Sequence, residues 1–186
     1  MPVRVHVLSN FAIGQTHLGQ AVFAARQFQK GDVVTQFTGP LIHKSKLPKK
    51  YQGTRDRYVQ IGPEHFLGPS GDIDDLINHS CDPNTGLSFT TFGIILVAIK
   101  DIDIGKEITW DYSTTLFENS WKMRCDCREV GCRKIITDFT LLDEKVQRKY
   151  LKLNVIPPYI RAYLKSKAYP VYTKGVHRLK KYAEKK

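Results

Sequence analysis

All four cysteines of the chain lie in two short segments that could together bind one metal ion. Cys81 stands alone, and the other three form the pattern Cys125-x-Cys127-x4-Cys132. In an extended backbone, residues two positions apart point the same way, so Cys125 and Cys127 can face one centre. Four thiolates are the ligand set of a structural zinc site, which leaves no open coordination position for catalysis.

Disulfides and chance spacing are the alternatives to zinc, since four cysteines allow three pairings. Residues 1–5 lack the charged and then apolar layout of a signal peptide, so the sequence does not indicate an oxidising compartment. Zinc is therefore the favoured interpretation. The longest apolar run, residues 92–99, is too short to cross a bilayer. We expect a soluble intracellular protein, in the nucleus or the cytoplasm, without membrane contact.

Two polar strings accompany the cysteines, at residues 78–84 (Asn-His-Ser-Cys-Asp-Pro-Asn) and 107–112 (Glu-Ile-Thr-Trp-Asp-Tyr). Taken singly, such residues are most often local hydrogen-bonding groups in turns. Together with the trailing cysteine pattern, they resemble the SET-domain protein lysine methyltransferases that carry a post-SET zinc-binding segment. The resemblance spans residues 10–136. It implies a structural zinc ion bound by Cys81, Cys125, Cys127 and Cys132.

The activity implied by this resemblance is methyl transfer from S-adenosylmethionine to the ε-amine of a lysine in a histone or another basic protein. The implied methyl-donor site consists of Gly19, Gln20, Ala21, Tyr58, Asn78, His79 and Ile135. Ala21 replaces the second glycine of the family's Gly-x-Gly, which would weaken donor binding if that position required a positive φ. Asp75 stands where relatives often carry arginine, so one donor-side contact is in question. Without the resemblance, Tyr58 would equally be a strand residue and Ile135 a core residue.

Tyr112 matches the family's active-site tyrosine, although a tyrosine at a strand end is otherwise most often a core residue with a satisfied hydroxyl. The substrate amine must lose its proton before attack, and a narrow apolar channel beside a sulfonium cation favours that loss. Phe37 and Trp110 match the walls of this channel, unless they are plain core aromatics. Phe37 lacks a hydroxyl that many relatives carry, which favours higher methylation. The large ring of Trp110 favours a single methyl group.

Short strands and turns are predicted to position these residues as far as Tyr112. Alternating or β-rich stretches predict strands at residues 3–7, 19–24, 33–37 and 93–99, an extended segment at 107–112, and a polar loop or short helix at 44–57. Two helices are predicted after the cysteines. The first follows a capping box from Thr140 to Asp143 and presents Leu142, Val146 and Tyr150. The second begins at Pro158, presents Ile160, Tyr163 and Leu164, and ends at Pro170.

The predicted fold class is mostly β with short helices (α+β). The resemblance makes it a SET-domain fold of small sheets, in which residues 78–84 and 107–112 are threaded in a knot-like arrangement, an exception to ordinary topologies. Three regions are expected: a SET catalytic domain at 1–124, a post-SET zinc segment at 125–140, and a basic, partly helical extension at 141–186.

The net positive charge of the chain, +11, comes entirely from its C-terminal quarter. Residues 1–143 carry 16 Lys and Arg against 16 Asp and Glu, whereas residues 144–186 carry 13 against two. Such a segment attracts phosphate or an acidic protein surface, or it is simply a solvated tail. A non-catalytic, zinc-stapled basic module that binds nucleic acid or chromatin is therefore the alternative function. The departures at Ala21, Phe37 and Asp75 favour it modestly.

Overall fold

Short strands make up most of the fold. The computed structural model describes residues 6–48, 57–118 and 121–166, which contain thirteen strands and two α-helices. In chain order the strands are β1 (His6–Leu8), β2 (Phe11–Thr16), β3 (Gly19–Ala24), β4 (Val33–Phe37), β5 (Leu41–His43), β6 (Val59–Gln60), β7 (His65–Leu67), β8 (Asn78–His79), β9 (Thr85–Thr90), β10 (Gly93–Ala98), β11 (Thr109–Trp110), β12 (Met123–Arg124) and β13 (Ile135–Ile136). The helices α1 (Glu144–Leu153) and α2 (Pro158–Ser166) follow. Neither helix has the length and apolar character needed to span a bilayer.

The strands form five small sheets within the described residues. Three sheets have three strands each, in the orders β1–β2–β3, β4–β10–β9 and β5–β7–β6, and all their neighbours are antiparallel. A fourth sheet pairs β12 with β13 antiparallel, and the fifth pairs β8 with β11 in parallel. The predicted class, mostly β with short helices, is confirmed.

Most of the predicted strands are present. β3, β4 and β10 coincide with the predictions at 19–24, 33–37 and 93–99, and β1 is the described part of the strand predicted at 3–7. The segment 107–112 is less extended than expected, because Tyr112 begins a 3-10 turn that runs to Thr114. In the polar stretch 44–57, Lys44–Lys46 form one 3-10 turn, and residues 49–56 lie outside the described residues.

The two polar strings lie side by side. β8 pairs with β11 so that Asn78 faces Thr109 and His79 faces Trp110. The Asn84 side chain extends the pairing, because it donates to the Glu107 carbonyl at 2.8 Å and accepts from the Thr109 N–H at 3.0 Å. The expected adjacency of residues 78–84 and 107–112 is thus observed, while the knot-like threading stays a prediction.

The helices begin close to the predicted positions, with one correction. The N-cap of α1 is Asp143, whose carboxylate accepts from the Lys145 N–H at 2.8 Å. Thr140 belongs instead to a preceding 3-10 turn, so the expected capping box was wrong, since that turn moves Thr140 away from the helix start. α2 begins at Pro158 as predicted. Its expected end at Pro170 lies outside the described residues.

Both helices contribute to a hydrophobic cluster that also includes residues of the sheet region. Its fully or almost fully buried members include Ile99 from the sheet region and Phe139, Leu142, Tyr150, Ile160 and Leu164 from the helical region. Val155, in the loop between the helices, packs so closely on Gly86 of β9 that a Cβ atom at position 86 would lie 2.7 Å from it. The loop between the helices therefore packs against the β4–β10–β9 sheet, and the division of the chain at 124 and 140 stays a prediction.

Candidate active site and metal cluster

The four cysteines converge beyond the ends of β8 and β12. The Sγ atoms of Cys81 and Cys125 are 3.7 Å apart, and those of Cys125 and Cys132 are 3.6 Å apart. At the usual Zn–S distance of about 2.3 Å, a tetrahedral zinc ion separates two sulfurs by about 3.8 Å. Cys127 Sγ lies within 4.8 Å of the Cys81 and Cys125 sulfurs. All four are free thiols. The ligand atoms that all lie within 4.8 Å of one another belong to His79, Cys81, Cys125 and Cys127, and Cys132 reaches this group through its contact with Cys125. The cluster fits a structural zinc ion, with His79 and Cys132 as the two candidates for the fourth ligand.

The thiols differ in how readily they ionise. Burial raises the pKa of Cys81 to about 11. At Cys132 the effect of burial is outweighed by hydrogen bonds from the Lys134 amide and from neighbouring thiols, which lower its pKa to about 7. A divalent cation among these sulfurs would favour the thiolate form of each, as bound metal ions generally do.

His79 lies beside the cysteines and links them to Tyr112. Its Nδ1 atom accepts a hydrogen bond from the Tyr112 backbone N–H at 3.2 Å, and its Nε2 atom lies 3.3 Å from Cys81 Sγ. Because Nδ1 is an acceptor, a neutral ring carries its hydrogen on Nε2 and donates it toward the sulfur. Burial lowers the pKa of His79 to about 4, against the opposing charge of Asp111. His79 therefore fits the role of a neutral donor to Cys81 better than that of a ligand.

A cavity of about 380 Å³ opens beside this cluster. Its volume falls in the range typical of small-molecule sites. The lining combines polar and apolar groups from both polar strings and from the cysteine region: His17, Leu18, Asn78, His79, Tyr112, Trp121, Met123, Arg124, Cys125, Asp126, Cys127 and Ile136. This space, called the donor cavity below, contains two of the seven predicted donor residues.

Asn78 connects three elements at the edge of the donor cavity. Its Nδ2 atom donates to the Gln20 carbonyl oxygen at 3.2 Å and to Glu107 Oε1 at 2.9 Å. Gln20 belongs to β3, Asn78 to β8, and Glu107 lies just before β11. Because both amide hydrogens are used, the Asn78 carbonyl oxygen is the atom left to accept from a ligand.

A second cavity, called the channel below, is much smaller, with a volume of about 50 Å³. Phe37 and Trp110 are buried in its wall and pack edge to face, with ring centroids 5.7 Å apart. The Trp110 ring also lies against Tyr112, at 4.9 Å between centroids. Both predicted channel residues therefore line a slot of aromatic walls that suits a thin aliphatic side chain.

Tyr112 and Trp121 line both the donor cavity and the channel. The Tyr112 hydroxyl donates to the Ile77 carbonyl oxygen at 2.8 Å, and its backbone N–H is held by His79. The tyrosine is thus fixed at both its backbone and its hydroxyl. A group entering from the channel would meet a ligand of the donor cavity at this residue.

The other five predicted donor residues do not line the donor cavity: Gly19, Gln20, Ala21, Tyr58 and Ile135. Tyr58 lines the channel. Ile135 is 53% exposed, whereas its neighbour Ile136 is fully buried and lines the donor cavity, because successive residues of β13 point to opposite faces. Ala21 is fully buried and has no positive φ. The alanine therefore causes no backbone strain, and it is Gly19, at φ +107°, that needs a glycine.

Asp75 is anchored on the channel side. Its two carboxylate oxygens accept hydrogen bonds from the backbone N–H groups of Ser70, at 3.1 Å, and Gly71, at 2.9 Å. Arg57 lies 3.8 Å from the same carboxylate, and both residues line the channel. The Asp75 carboxylate thus stabilises the loop at Ser70 and Gly71, beside the channel.

Several lining residues were not predicted. Trp121, His17 and Met123 lie outside the two polar strings, and only an isolated tryptophan four residues before Cys125 could have drawn attention. The His17 Nε2 atom lies 2.7 Å from the Asp126 carbonyl oxygen, which joins the turn between β2 and β3 to the cysteine region. This contact spans the donor cavity and depends on residues 109 positions apart.

Comparisons with known proteins agree with this architecture. The family model described as SET domain matches residues 19–113, about half of the chain. "Probable histone-lysine N-methyltransferase set-23" of Caenorhabditis briggsae is 27% identical over 135 residues, which cover 63% of this chain and 56% of the relative. "Histone H3-lysine(4) N-trimethyltransferase ATX1" of Arabidopsis thaliana is 30% identical over 133 residues, covering 64% of this chain and 12% of the relative.

A solved structure shows the same fold. KRYPTONITE in complex with mCHH DNA, H3(1-15) peptide and SAH superposes with a TM-score of 0.54 at 20% identity, covering 73% of this chain and 30% of that chain. The family match includes the segments that carry Asn78, His79 and Tyr112. The chain therefore belongs to the SET domain family.

Proposed function

We propose that the protein transfers a methyl group from S-adenosylmethionine to the ε-amine of a lysine in a protein substrate. The observation that carries this proposal is the position of Tyr112 between the donor cavity and the channel. A two-sided site of this kind lets donor and acceptor approach from opposite directions and meet in line, which is the alignment that a methyl displacement requires. Relatives named as histone-lysine methyltransferases support the same reaction.

The donor cavity has groups suited to S-adenosylmethionine, which supplies the methyl group when bound. Asn78 offers a carbonyl oxygen as an acceptor, and Gly19 permits a tight turn beside it. Met123 and Ile136 supply apolar surface suited to an adenine ring. The structure of KRYPTONITE with SAH, the demethylated form of this donor, supports the assignment.

The channel is suited to a lysine side chain. The rings of Phe37 and Trp110 disfavour a charged ammonium beside them through desolvation, which favours the deprotonated amine. The carboxylates of Asp74 and Asp75 also line the channel, but their oxygens already accept hydrogen bonds from neighbouring loop groups. The protein then needs no dedicated base in the channel, because solvent can take the proton before the amine is enclosed. The Tyr112 hydroxyl, held by the Ile77 carbonyl, sits where amine and methyl group would meet.

Zinc would be bound by Cys81, Cys125, Cys127 and Cys132, with His79 donating to Cys81 from outside the ligand set. No coordination position would remain open, so the ion would hold the walls of the donor cavity together and take no part in the chemistry. Cys125 and Cys127 themselves line that cavity, which supports a direct dependence of donor binding on the metal.

A histone or another basic protein is the substrate class that the relatives support, with action in the nucleus or on chromatin. Purified full-length protein should incorporate labelled methyl groups into lysines of histone H3, or of proteins in a whole lysate, and bind S-adenosylmethionine in calorimetry. If neither transfer nor donor binding is observed with zinc-loaded protein, the proposed activity is wrong. Nucleic-acid binding without donor binding would then favour the non-catalytic alternative.

Contact with nucleic acid through residues 144–186 is a second proposed property. A surface groove between α1 and α2 is lined by two apolar residues and four cations: Leu151, Leu164, Arg148, Lys152, Arg161 and Lys165. Such a surface attracts phosphates in a salt-dependent way. Lys152→Gln with Lys165→Gln should weaken binding of duplex DNA and flatten its salt dependence. The control Lys30→Gln, at a lysine that does not line the groove, should not. Unchanged binding in the double variant would exclude this groove.

A further inference from the structure

Asp111 and Thr115, the residues at the two ends of the turn that contains Tyr112, each contact the hydroxyl of a tyrosine. The two tyrosines come from different helices, α1 and α2. Tyr150 of α1 donates its hydroxyl hydrogen to Asp111 Oδ2 at 2.8 Å. Tyr159 of α2 has its hydroxyl within hydrogen-bonding distance of the Thr115 carbonyl oxygen. Neither tyrosine lies in the region matched by the SET domain family model, which ends at residue 113.

Asp111 fixes the start of the turn that contains Tyr112. Its Oδ1 atom accepts from the Ser113 N–H at 3.1 Å, and its carbonyl oxygen accepts from the Thr114 N–H at 2.9 Å. Arg133 donates to the same Oδ1 atom at 2.6 Å. Asp111 is buried, so the hydrogen bonds to its carboxylate are charge-assisted, stronger than neutral ones and costly to leave unmade.

The far end of the turn is fixed through α2. The Tyr159 hydroxyl also lies 3.2 Å from the carbonyl oxygen of Gln60, and the Gln60 side chain accepts from the Phe117 N–H at 2.8 Å. Thr115, which follows the turn, lines the channel. α2 therefore ties the strand β6 and the channel wall to one another at the point where the turn ends.

Both hydroxyl groups keep their hydrogens throughout the working pH range. Burial, reinforced by the charge of Asp111, raises the pKa of Tyr150 far above its ordinary value. Burial also raises the pKa of Tyr159, with smaller contributions from Asp138 and Glu118. The two residues can therefore act as permanent donors to the segment that they contact.

We propose that Tyr150 and Tyr159 are positioning residues, which hold Tyr112 between the donor cavity and the channel from both ends of its turn. The helices α1 and α2 are then part of the catalytic unit and not a separate extension. This inference rests on the proposed methyl transfer for its effect on rate. Its structural content, the bracing of residues 111–115, does not depend on the activity.

Tyr150→Phe and Tyr159→Phe test the proposal, with Ile160→Val as the matched control. Ile160 is fully buried in the same helical cluster, and its aliphatic side chain cannot hydrogen-bond to the turn. In the full-length, zinc-loaded protein we expect at least tenfold faster hydrogen exchange at the Ser113 and Thr114 amides in Tyr150→Phe. We expect kcat to fall about tenfold in both tyrosine variants, with the KM for S-adenosylmethionine nearly unchanged.

The control should lower the unfolding midpoint by a similar amount and leave local exchange and kcat close to wild type. If the tyrosine variants behave like Ile160→Val in both measurements, the proposal is overturned. Should Tyr150→Phe not fold, Tyr159→Phe decides the question. The wild-type Tyr159 hydroxyl contacts only backbone carbonyl oxygens among its described partners, so removing it leaves no buried charge unpaired. A wild-type protein without methyl transfer would refute the proposed function, while the exchange rates would still test the brace.

Discussion

The Tyr112 hydroxyl donates a hydrogen bond of 2.8 Å to the carbonyl oxygen of Ile77, the residue directly before Asn78. The bond fixes the hydroxyl of a residue that lines both cavities. Tyr112→Phe should therefore lower the rate of labelled methyl transfer about 100-fold, because it removes the phenol oxygen that, oriented by the Ile77 carbonyl, would position the reacting groups, and misplacement at a reacting centre has an effect of that size. Calorimetry should give an S-adenosylmethionine affinity within a few-fold of wild type.

Tyr163→Phe is the matched control for this substitution. Tyr163 packs against Phe117, with ring centroids 4.7 Å apart, and lines neither cavity. Its variant should retain most of the activity. Full activity in Tyr112→Phe would remove the tyrosine from the proposed mechanism.

Metal content should be one zinc ion per chain, measured by elemental analysis of the purified protein. Chelation should lower the unfolding temperature and abolish donor binding, because two of the cysteines line the donor cavity. Restoring zinc should recover both. Protein that is metal-free as isolated, yet binds the donor fully, would contradict the metal assignment.

The identity of the fourth ligand can be tested by paired substitutions. Cys132→Ser should lose zinc, because its sulfur lies 3.6 Å from that of Cys125, as a tetrahedral site requires. His79→Gln should retain one zinc ion per chain, since the His79 Nδ1 atom accepts from Tyr112 and its Nε2 atom faces a sulfur. The opposite result would assign the ligand set His79, Cys81, Cys125 and Cys127.

Channel width should control the number of methyl groups added. Trp110→Phe replaces the indole of the Phe37–Trp110 pair with a smaller phenyl ring, which widens the channel and should shift products toward higher methylation. Phe37→Tyr adds a hydroxyl that can hold the amine and should shift products toward monomethyl-lysine. Mass spectrometry of a methylated peptide at matched turnover measures both shifts. Identical product distributions in the two variants would show that these rings do not bound the reacting amine.

The packing of Val155 on Gly86 should make position 86 intolerant of any side chain. Gly86→Ala would bring a Cβ atom to 2.7 Å from Val155 and should cost about 1–3 kcal/mol of unfolding free energy. Gly131→Ala, where a Cβ atom meets nothing within 4 Å, should be nearly neutral. Denaturant unfolding of both variants measures the difference, and equal stabilities would show that the loop between the helices packs less closely than described.

Local sequence patterns predicted the strands and helix starts well. β4 and β10 have β-rich sequences between turn residues, and Pro158 starts α2 because its fixed φ suits the first helical turn. Thr140 was misassigned because Asp143, three residues later, is itself a good N-cap. Local patterns could not choose between two competing caps, since that choice depends on how Phe139 and Leu142 are buried.

Four of the predicted residues at the cavities lie inside the two polar strings, whereas Phe37 of β4 was predicted from the family resemblance alone. Asn78, His79, Trp110 and Tyr112 lie at the cavities because β8 and β11 pair directly. Ile135 failed because a shift of one residue in a strand reverses the side chain's direction. Trp121 and the tyrosines of α1 and α2 reach the site through tertiary contacts, for which no local spacing rule exists.

The sulfurs of Cys81 and Cys125 meet although 44 positions separate them along the chain. If zinc joins them, the ion can be captured only after the ribosome has made both segments and the sheets between them have assembled. Metal loading would then act as a late checkpoint in biogenesis. The cell's zinc supply, and not only the transcript level, would set how many copies mature into working molecules.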